Sequence, residues 1–211
     1  MRDYNDFRYI YPPRPETKSP PSGLATYERM GYIAQPKLNG SCAVVFVGDK
    51  GTKMMGRHNN TFARELIDKG HLQNLQRGAG YTVIVGEYMN KSQKDGKRKL
   101  FNGCFVIFDI LVHNGKHLVN SSFEERQDLL DKLYGDGEAY DEYVNYISPS
   151  VFRVRNFSSN FVTLFNKITS VEMYEGFVLK RPNGKLENGT REANNTGWQL
   201  KIRKPTKNYK Y

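Results

Sequence analysis

Lys37 stands in the run AQPKLNGSCAVVFV, with Asn39-Gly40 two residues on and an apolar stretch from Cys42 to Val47 beyond. Asn-Gly favours a two-residue turn with positive φ, so the sequence predicts a hairpin that mounts this lysine at a strand end. An ordinary lysine, with a pKa of about 10.4, is neutral in only about one molecule in 10³ at pH 7. Using its amine as a nucleophile means favouring the neutral form through burial or nearby cations. A surface lysine needs no such mounting; a nucleophilic one does.

Other groups able to do chemistry follow in order: Arg57 in GRHNNTF, Glu87 in VGEYM, Phe108 and Asp109 in FVIFDIL, Glu175 and Lys180 in YEGFVLK, and Lys201 and Arg203 in WQLKIRK. Each alone has an ordinary explanation: a solvated carboxylate, a core strand, a basic edge strand. Together they make a series of amine, arginine, carboxylate, aromatic-Asp strand, Glu-Gly strand and a basic pair two apart. Strand side chains alternate with period two, so Lys201 and Arg203 share one face.

These groups need a scaffold, and the pattern supplies one. YPPRPETKSPPSG holds five of the nine prolines and reads as an extended arm over residues 1–23, ahead of a domain at 24–204 and a basic tail at 205–211. Strands are expected at Tyr32–Lys37, Ser41–Val47, Lys53–Arg57, Tyr81–Tyr88 and Leu100–Val112, the last nearly all apolar and therefore central. Phe62, Leu66, Leu72 and Leu75 give an imperfect helical stripe between Thr61 and Arg77, interrupted by Gly70. SSFEERQDLLDKLYG carries Ser-x-x-Glu twice, at Ser121/Glu124 and Ser122/Glu125, and starts a helix that Gly135 stops. Phe161, Leu164, Phe165, Ile168 and Val171 mark a second amphipathic helix. GFVLKRP and WQLKIRK close the chain as strands. The fold class is α+β, with largely antiparallel sheets flanked by helices.

Composition narrows the partners. With 32 Lys plus Arg against 22 Asp plus Glu, the formal charge is +10, and the sequence pI is near 9.5. That balance points to a polyanion, nucleic acid first. No apolar run approaches the ~18 residues of a membrane helix, and the charged Met1-Arg2-Asp3-Tyr4 start lacks a signal peptide's apolar stretch. Cys42 and Cys104 fall in strand-like runs and read as reduced core thiols, which with the rest gives an expected cytoplasmic location. His113 and His117 flank Asn114-Gly115, a turn, so no zinc site is expected.

The ordered series from about Tyr32 to Lys204 resembles the covalent nucleotidyltransferase superfamily: ATP-dependent DNA ligases, RNA ligases and mRNA capping enzymes. The segment FDILVHNGKHLVNSSFEERQDLL is also similar to the one following the aromatic-Asp motif in DNA ligases. The resemblance implies a ligase-type adenylation domain using ATP and Mg²⁺ or Mn²⁺. Under it, Lys37 attacks the α-phosphate of ATP and carries AMP, Arg57 contacts phosphate, Glu87 binds the ribose hydroxyls and Phe108 stacks on adenine. Glu175 holds the metal, as hard Mg²⁺ prefers carboxylate oxygen. Lys201 and Arg203 reach the α-phosphate and supply positive charge beside the amine. Glu-Gly in YEGFVLK matches ligases, whereas capping enzymes usually carry Asp-Gly there.

The match has departures. Position 39 is Asn where DNA ligases have Asp, and position 42 is Cys where many have arginine. Seven residues follow Lys204, so the OB domain of typical DNA ligases is expected to be missing. Nucleic-acid binding would then rest on the loop NKSQKDGKRKL, with Lys97, Arg98 and Lys99, and on the tail RKPTKNYKY, with Lys204, Lys207 and Lys210 beside Tyr209 and Tyr211. The leading expectation is a monomeric ATP-dependent ligase sealing nicked nucleic acid, DNA ahead of RNA. An RNA ligase and a non-catalytic, ligase-like binding module are the alternatives. Abundant Asn, Lys and Tyr hint at a viral source, which would place the protein in host cytoplasm.

Overall fold

The computed structural model describes residues 7–205. Among them, four strands make one sheet: β1 (Arg14–Lys18), β12 (Asn195–Arg203), β11 (Tyr174–Lys180) and β2 (Ile33–Leu38), in that spatial order. The larger sheet runs β4 (Gly51–Gly56), β3 (Ser41–Gly48), β5 (Thr82–Met89), β6 (Cys104–His113), β10 (Val151–Val154), β9 (Val144–Ser148) and β8 (Glu138–Ala139), with β7 (Lys116–His117) paired to β6. Pairing is antiparallel except for β1 with β12 and β10 with β6. The expected α+β class is therefore the observed one. β6 is the near-continuous apolar run foreseen as central, and it is flanked by β5 and β10.

One apolar cluster joins the sheets, combining Ala34, Leu38, Phe177 and Leu179 of the smaller with Met89, Val106 and Phe152 of the larger. Helix α4 (Phe161–Ile168) adds its whole apolar stripe, Phe161, Leu164, Phe165 and Ile168. The Glu28 carboxylate on α1 (Leu24–Arg29) accepts the N–H groups of Asn160 and Phe161 at 3.1 and 2.8 Å, satisfying donors at the start of α4. Of the two capping signals before α3 (Phe123–Tyr134), Ser122 with Glu125 forms the reciprocal box, and Gly135 ends the helix at φ +66°.

Two expectations are corrected. The stripe from Thr61 to Arg77 yields only the five-residue α2 (Lys69–Gln73), capped by Asp68 through Gly70 N–H. Upstream, Leu66 N–H donates to the Tyr88 hydroxyl, so this backbone is held by a tertiary contact in place of a helical ladder. The proline-rich segment is no separate arm either. Phe7 and Ile10 pack with Val44, Phe46, Tyr81 and Val83, and Arg14–Lys18 is an edge strand, a position that tolerates the missing N–H of Pro15. The boundary expected at residue 23 thus falls inside a continuous structure. Of the expected tail, Lys207, Tyr209, Lys210 and Tyr211 lie outside the described residues.

Candidate active site

Lys37 lies near the end of β2, one residue before a turn pinned from three sides. Asn39 N–H donates to Met173 O at 3.0 Å, Gln93 Nε2 donates to Asn39 O at 2.6 Å, and Gly40 N–H donates to Glu87 Oε1 at 2.9 Å. A Cβ on Gly40 would stand 2.6 Å from Tyr88 O and 2.9 Å from Glu87 Cγ, so glycine permits the close approach. The expected hairpin is corrected: β2 and β3 belong to different sheets, and neither Asn39 nor Gly40 has positive φ. The Asn-Gly pair is a pinned bend that carries the chain from one sheet to the other and still mounts Lys37 rigidly.

Register across the small sheet aligns Lys37 with Gly176 and Arg203, then Gln35 with Val178 and Lys201, then Ile33 with Lys180 and Gln199. Directly opposed residues share a face, and here that face looks into one cleft. Between Tyr174 and Gly176 the pairing with β2 slips, leaving Glu175 as the extra residue of a bulge. Such a bulge re-aims a side chain. Glu175 Oε2 consequently lies 2.6 Å from Lys37 Nζ and 3.4 Å from Arg203 Nη1. Gly176, at φ +142°, leaves no room for a Cβ, which would meet Ile202 O at 2.2 Å.

The larger sheet supplies the opposite wall. Glu87 on β5 pairs with Cys42 on β3, and Arg57, just past β4, donates its N–H to Cys42 O at 3.2 Å. Burial pushes the Glu87 carboxyl above the usual range, opposed by the Lys37 charge and the Gly40 N–H. Burial also raises the Cys42 thiol to about 12, leaving it inert. Phe108 on β6 presents its ring to the cleft, while its carbonyl accepts from Gln35 Nε2 at 3.3 Å and Gln127 Nε2 at 3.2 Å.

The cleft encloses about 380 Å³, within the range of small-molecule sites. Lys37, Arg57, Glu87, Phe108, Glu175, Lys201 and Arg203, the seven residues the sequence singles out for nucleotide chemistry, all line it. Asp109 does not. It is buried beneath, bonded to Arg126 through Nε at 2.8 Å and Nη2 at 3.0 Å. Burial alone would raise its pKa, but the Arg126 guanidinium holds it below the ordinary value.

The expected nucleic-acid contacts divide. Lys97, Arg98 and Lys99 are exposed on a tight hairpin anchored by Asp95, which accepts the N–H groups of Lys97 and Lys99 at 2.9 and 2.7 Å and the Tyr140 hydroxyl at 2.5 Å. Lys204 instead directs Nζ to Thr169 O and Val171 O at 3.2 and 3.4 Å, just past α4, where a cation complements the helix dipole. Lys204 is half-buried, and this contact ties it to the fold, unlike the exposed cations of the hairpin.

Lys180, named in YEGFVLK but given no task by the resemblance, is placed inside the cleft. Only 4% exposed, it lines the cleft with Nζ 5.2 Å from the Phe108 ring centroid and 4.7 Å from that of Phe123. Burial, reinforced by Arg126 and opposed by Asp109, lowers it to about 8. Period-two spacing from Val178 was the available signal. Among the described residues no three His, Cys, Asp or Glu side chains gather around a metal position. Glu175 and Glu87 could supply only part of a Mg²⁺ shell, which suits an ion completed by substrate phosphates and water. No helix among the described residues is long and apolar enough to cross a membrane.

Comparison with known proteins fits this geometry. The family described as "ATP dependent DNA ligase domain" matches residues 73–201, more than half of the chain. The SPbeta prophage-derived DNA ligase-like protein LigB of Bacillus subtilis (strain 168) is 23% identical, covering 77% of this chain and 59% of the relative. Among solved structures, mycobacterial DNA ligase D complexed with ATP and MES superposes with TM-score 0.65 at 14% identity, over 92% of this chain and 60% of that one. A Lig E DNA ligase structure gives TM-score 0.51 at 18% identity, over 82% and 62%. The chain thus spans about three fifths of the length of these relatives, and the structural matches establish the shared fold.

Proposed function

Because this chain belongs to the ATP-dependent DNA ligase domain family, we propose that it activates and seals nicked DNA through an AMP carried on Lys37. The observation that carries this reading is the convergence of the Lys37 amine with Arg57, Lys201 and Arg203 in one cleft beside the Phe108 ring. A primary amine, cations in excess and an aromatic wall suit a nucleotide with several negative charges.

In this reading adenine lies against Phe108, with buried Lys180 donating to the base or ribose from the floor. Glu87 keeps Oε2 for the sugar while Oε1 accepts Gly40 N–H. Lys201 and Arg203 neutralise the α-phosphate, and Lys37 must leave Glu175 before its amine can attack. Mg²⁺ bound by Glu175 and phosphate oxygens would add positive charge at the triphosphate. Transfer of AMP to a 5′-phosphate and attack by a 3′-hydroxyl complete sealing; throughout, the protein positions groups and stabilises charge.

Side-by-side sealing of a nicked all-DNA duplex and of nicks containing RNA tests the substrate. Faster sealing of the DNA nick, abolished in Lys37→Ala, is expected. A strict RNA requirement would assign the chain to RNA joining, and binding without sealing of either would make it a non-catalytic module.

A further inference from the structure

Residues 7–18 form a strap across the mouth of the cleft. One end is fixed to the larger sheet, where Phe7 and Ile10 join its apolar cluster and the Tyr9 hydroxyl donates to Gly56 O at 3.0 Å. The other end is β1 of the smaller sheet, held by Arg14 N–H to Asn194 O at 2.8 Å and Ser19 N–H to Lys201 O at 3.1 Å. Between these anchors Pro12, Pro13, Arg14 and Pro15 line the cleft. Proline fixes φ, so this stretch is stiff. Lys201 Nζ donates to Pro15 O at 3.3 Å, which ties the strap to the catalytic strand.

Arg14 is the unexplained member. Its side chain is exposed at the rim, and it forms no ion pair among the described residues. Its charge ranks first, after burial, among the effects lowering the Lys201 pKa, and it also contributes to lowering that of His58, beside Arg57. Arg14 lines the same cleft as Lys201, Arg203 and Arg57, and its neighbour Pro15 accepts a hydrogen bond from Lys201 Nζ. Seven lysines and arginines line the cleft against two glutamates. That excess is large for a nucleoside monophosphate and suits a triphosphate.

We propose that Arg14 binds the β- and γ-phosphates of the nucleoside triphosphate and orients the departing pyrophosphate. The inference rests on the adenylation reading above. In that step the bond from Lys37 Nζ to the α-phosphorus forms as the bond from that phosphorus to the bridging oxygen breaks. The electron pair leaves with pyrophosphate and the amine proton passes to water. Arg14 neutralises charge growing on the leaving group, away from the α-phosphate that Lys201 and Arg203 serve. A planar guanidinium fits two phosphate oxygens at once.

The test compares Arg14→Gln with wild type in two reactions: adenylation from ATP, and sealing of a nick that already carries a 5′-adenylate and needs no triphosphate. Removing one charge-assisted hydrogen bond predicts adenylation slowed about tenfold or more, with a higher KM for ATP. Sealing of the pre-adenylated nick should stay near wild type, and Arg14→Lys should recover part of the rate. Equilibrium binding of pyrophosphate should weaken while AMP binding is unchanged. Unchanged adenylation, or an equal decrease in both reactions, overturns the assignment. A wild-type protein that binds neither ATP nor pyrophosphate overturns the underlying reading instead, and Arg14's role with it.

Discussion

Glu175 Oε2 sits 2.6 Å from Lys37 Nζ, closer than to Arg203 Nη1 at 3.4 Å, because a bulge in β11 turns its carboxylate towards the end of β2. The proposed nucleophile is thus held by the carboxylate proposed to bind metal. Metal binding at Glu175 and release of Lys37 would then be one event.

Glu175→Ala separates these roles. The pair is partly solvated, so its removal should change stability by about 1 kcal/mol or less. Adenylation should fall by about a hundredfold or more, since charge stabilisation at the triphosphate is removed. Thermal melting and a Mg²⁺ titration of adenylation check this; matching activity at every Mg²⁺ concentration would contradict it.

Lys180 exchanges stability for a donor in the cleft. Its drop from 10.5 to about 8 means the unfolded chain binds more protons between those pH values, so wild-type stability rises with pH across that window. Below pH 8 the buried charge costs roughly 3 kcal/mol. Lys180→Met should therefore raise Tm at pH 7, lose that advantage above pH 10.5, and weaken ATP binding. Equal destabilisation at both pH values would refute the role.

Asp109 and Arg126 lie outside the cleft, so their effect should be on folding. Asp109→Asn leaves the fully buried Arg126 without its carboxylate and should cost about 3–5 kcal/mol. With its folded pKa below the unfolded one, Asp109 stabilises fully above the ordinary carboxyl range and ceases to do so as acid protonates it. Denaturant midpoints across acidic pH measure both effects; a flat profile would contradict them.

The Asp95-anchored hairpin carries Lys97, Arg98 and Lys99 on its exposed face. Replacing all three with alanine should flatten the log–log salt dependence of nicked-duplex binding by about 0.9 for each phosphate no longer neutralised. Adenylation should be untouched. An unchanged slope would make the hairpin a solvated loop.

Much of the site is legible in the sequence because its signals are local. Asn39-Gly40 marks the break after β2, although not the hairpin expected of it, and period two puts Lys201 and Arg203 on one face. What stays hidden depends on distant pairing. The strap reads as a linker because prolines usually mark one, and its parallel partner β12 lies at the far end of the described chain. The bulge that aims Glu175 exists only in register with β2. Lys180 stands within its motif without a role of its own, since burial between Phe108 and Phe123 requires both sheets. Two serines offer equal caps for α3; Ser122 forms the box, while the Ser121 hydroxyl donates to Leu118 O.

The most direct measurement is intact-protein mass spectrometry after incubation with ATP and Mg²⁺. Wild type should gain one AMP, absent in Lys37→Ala and removed by added pyrophosphate. A wild-type mass that stays unmodified, or an adduct that persists in Lys37→Ala, would contradict the account.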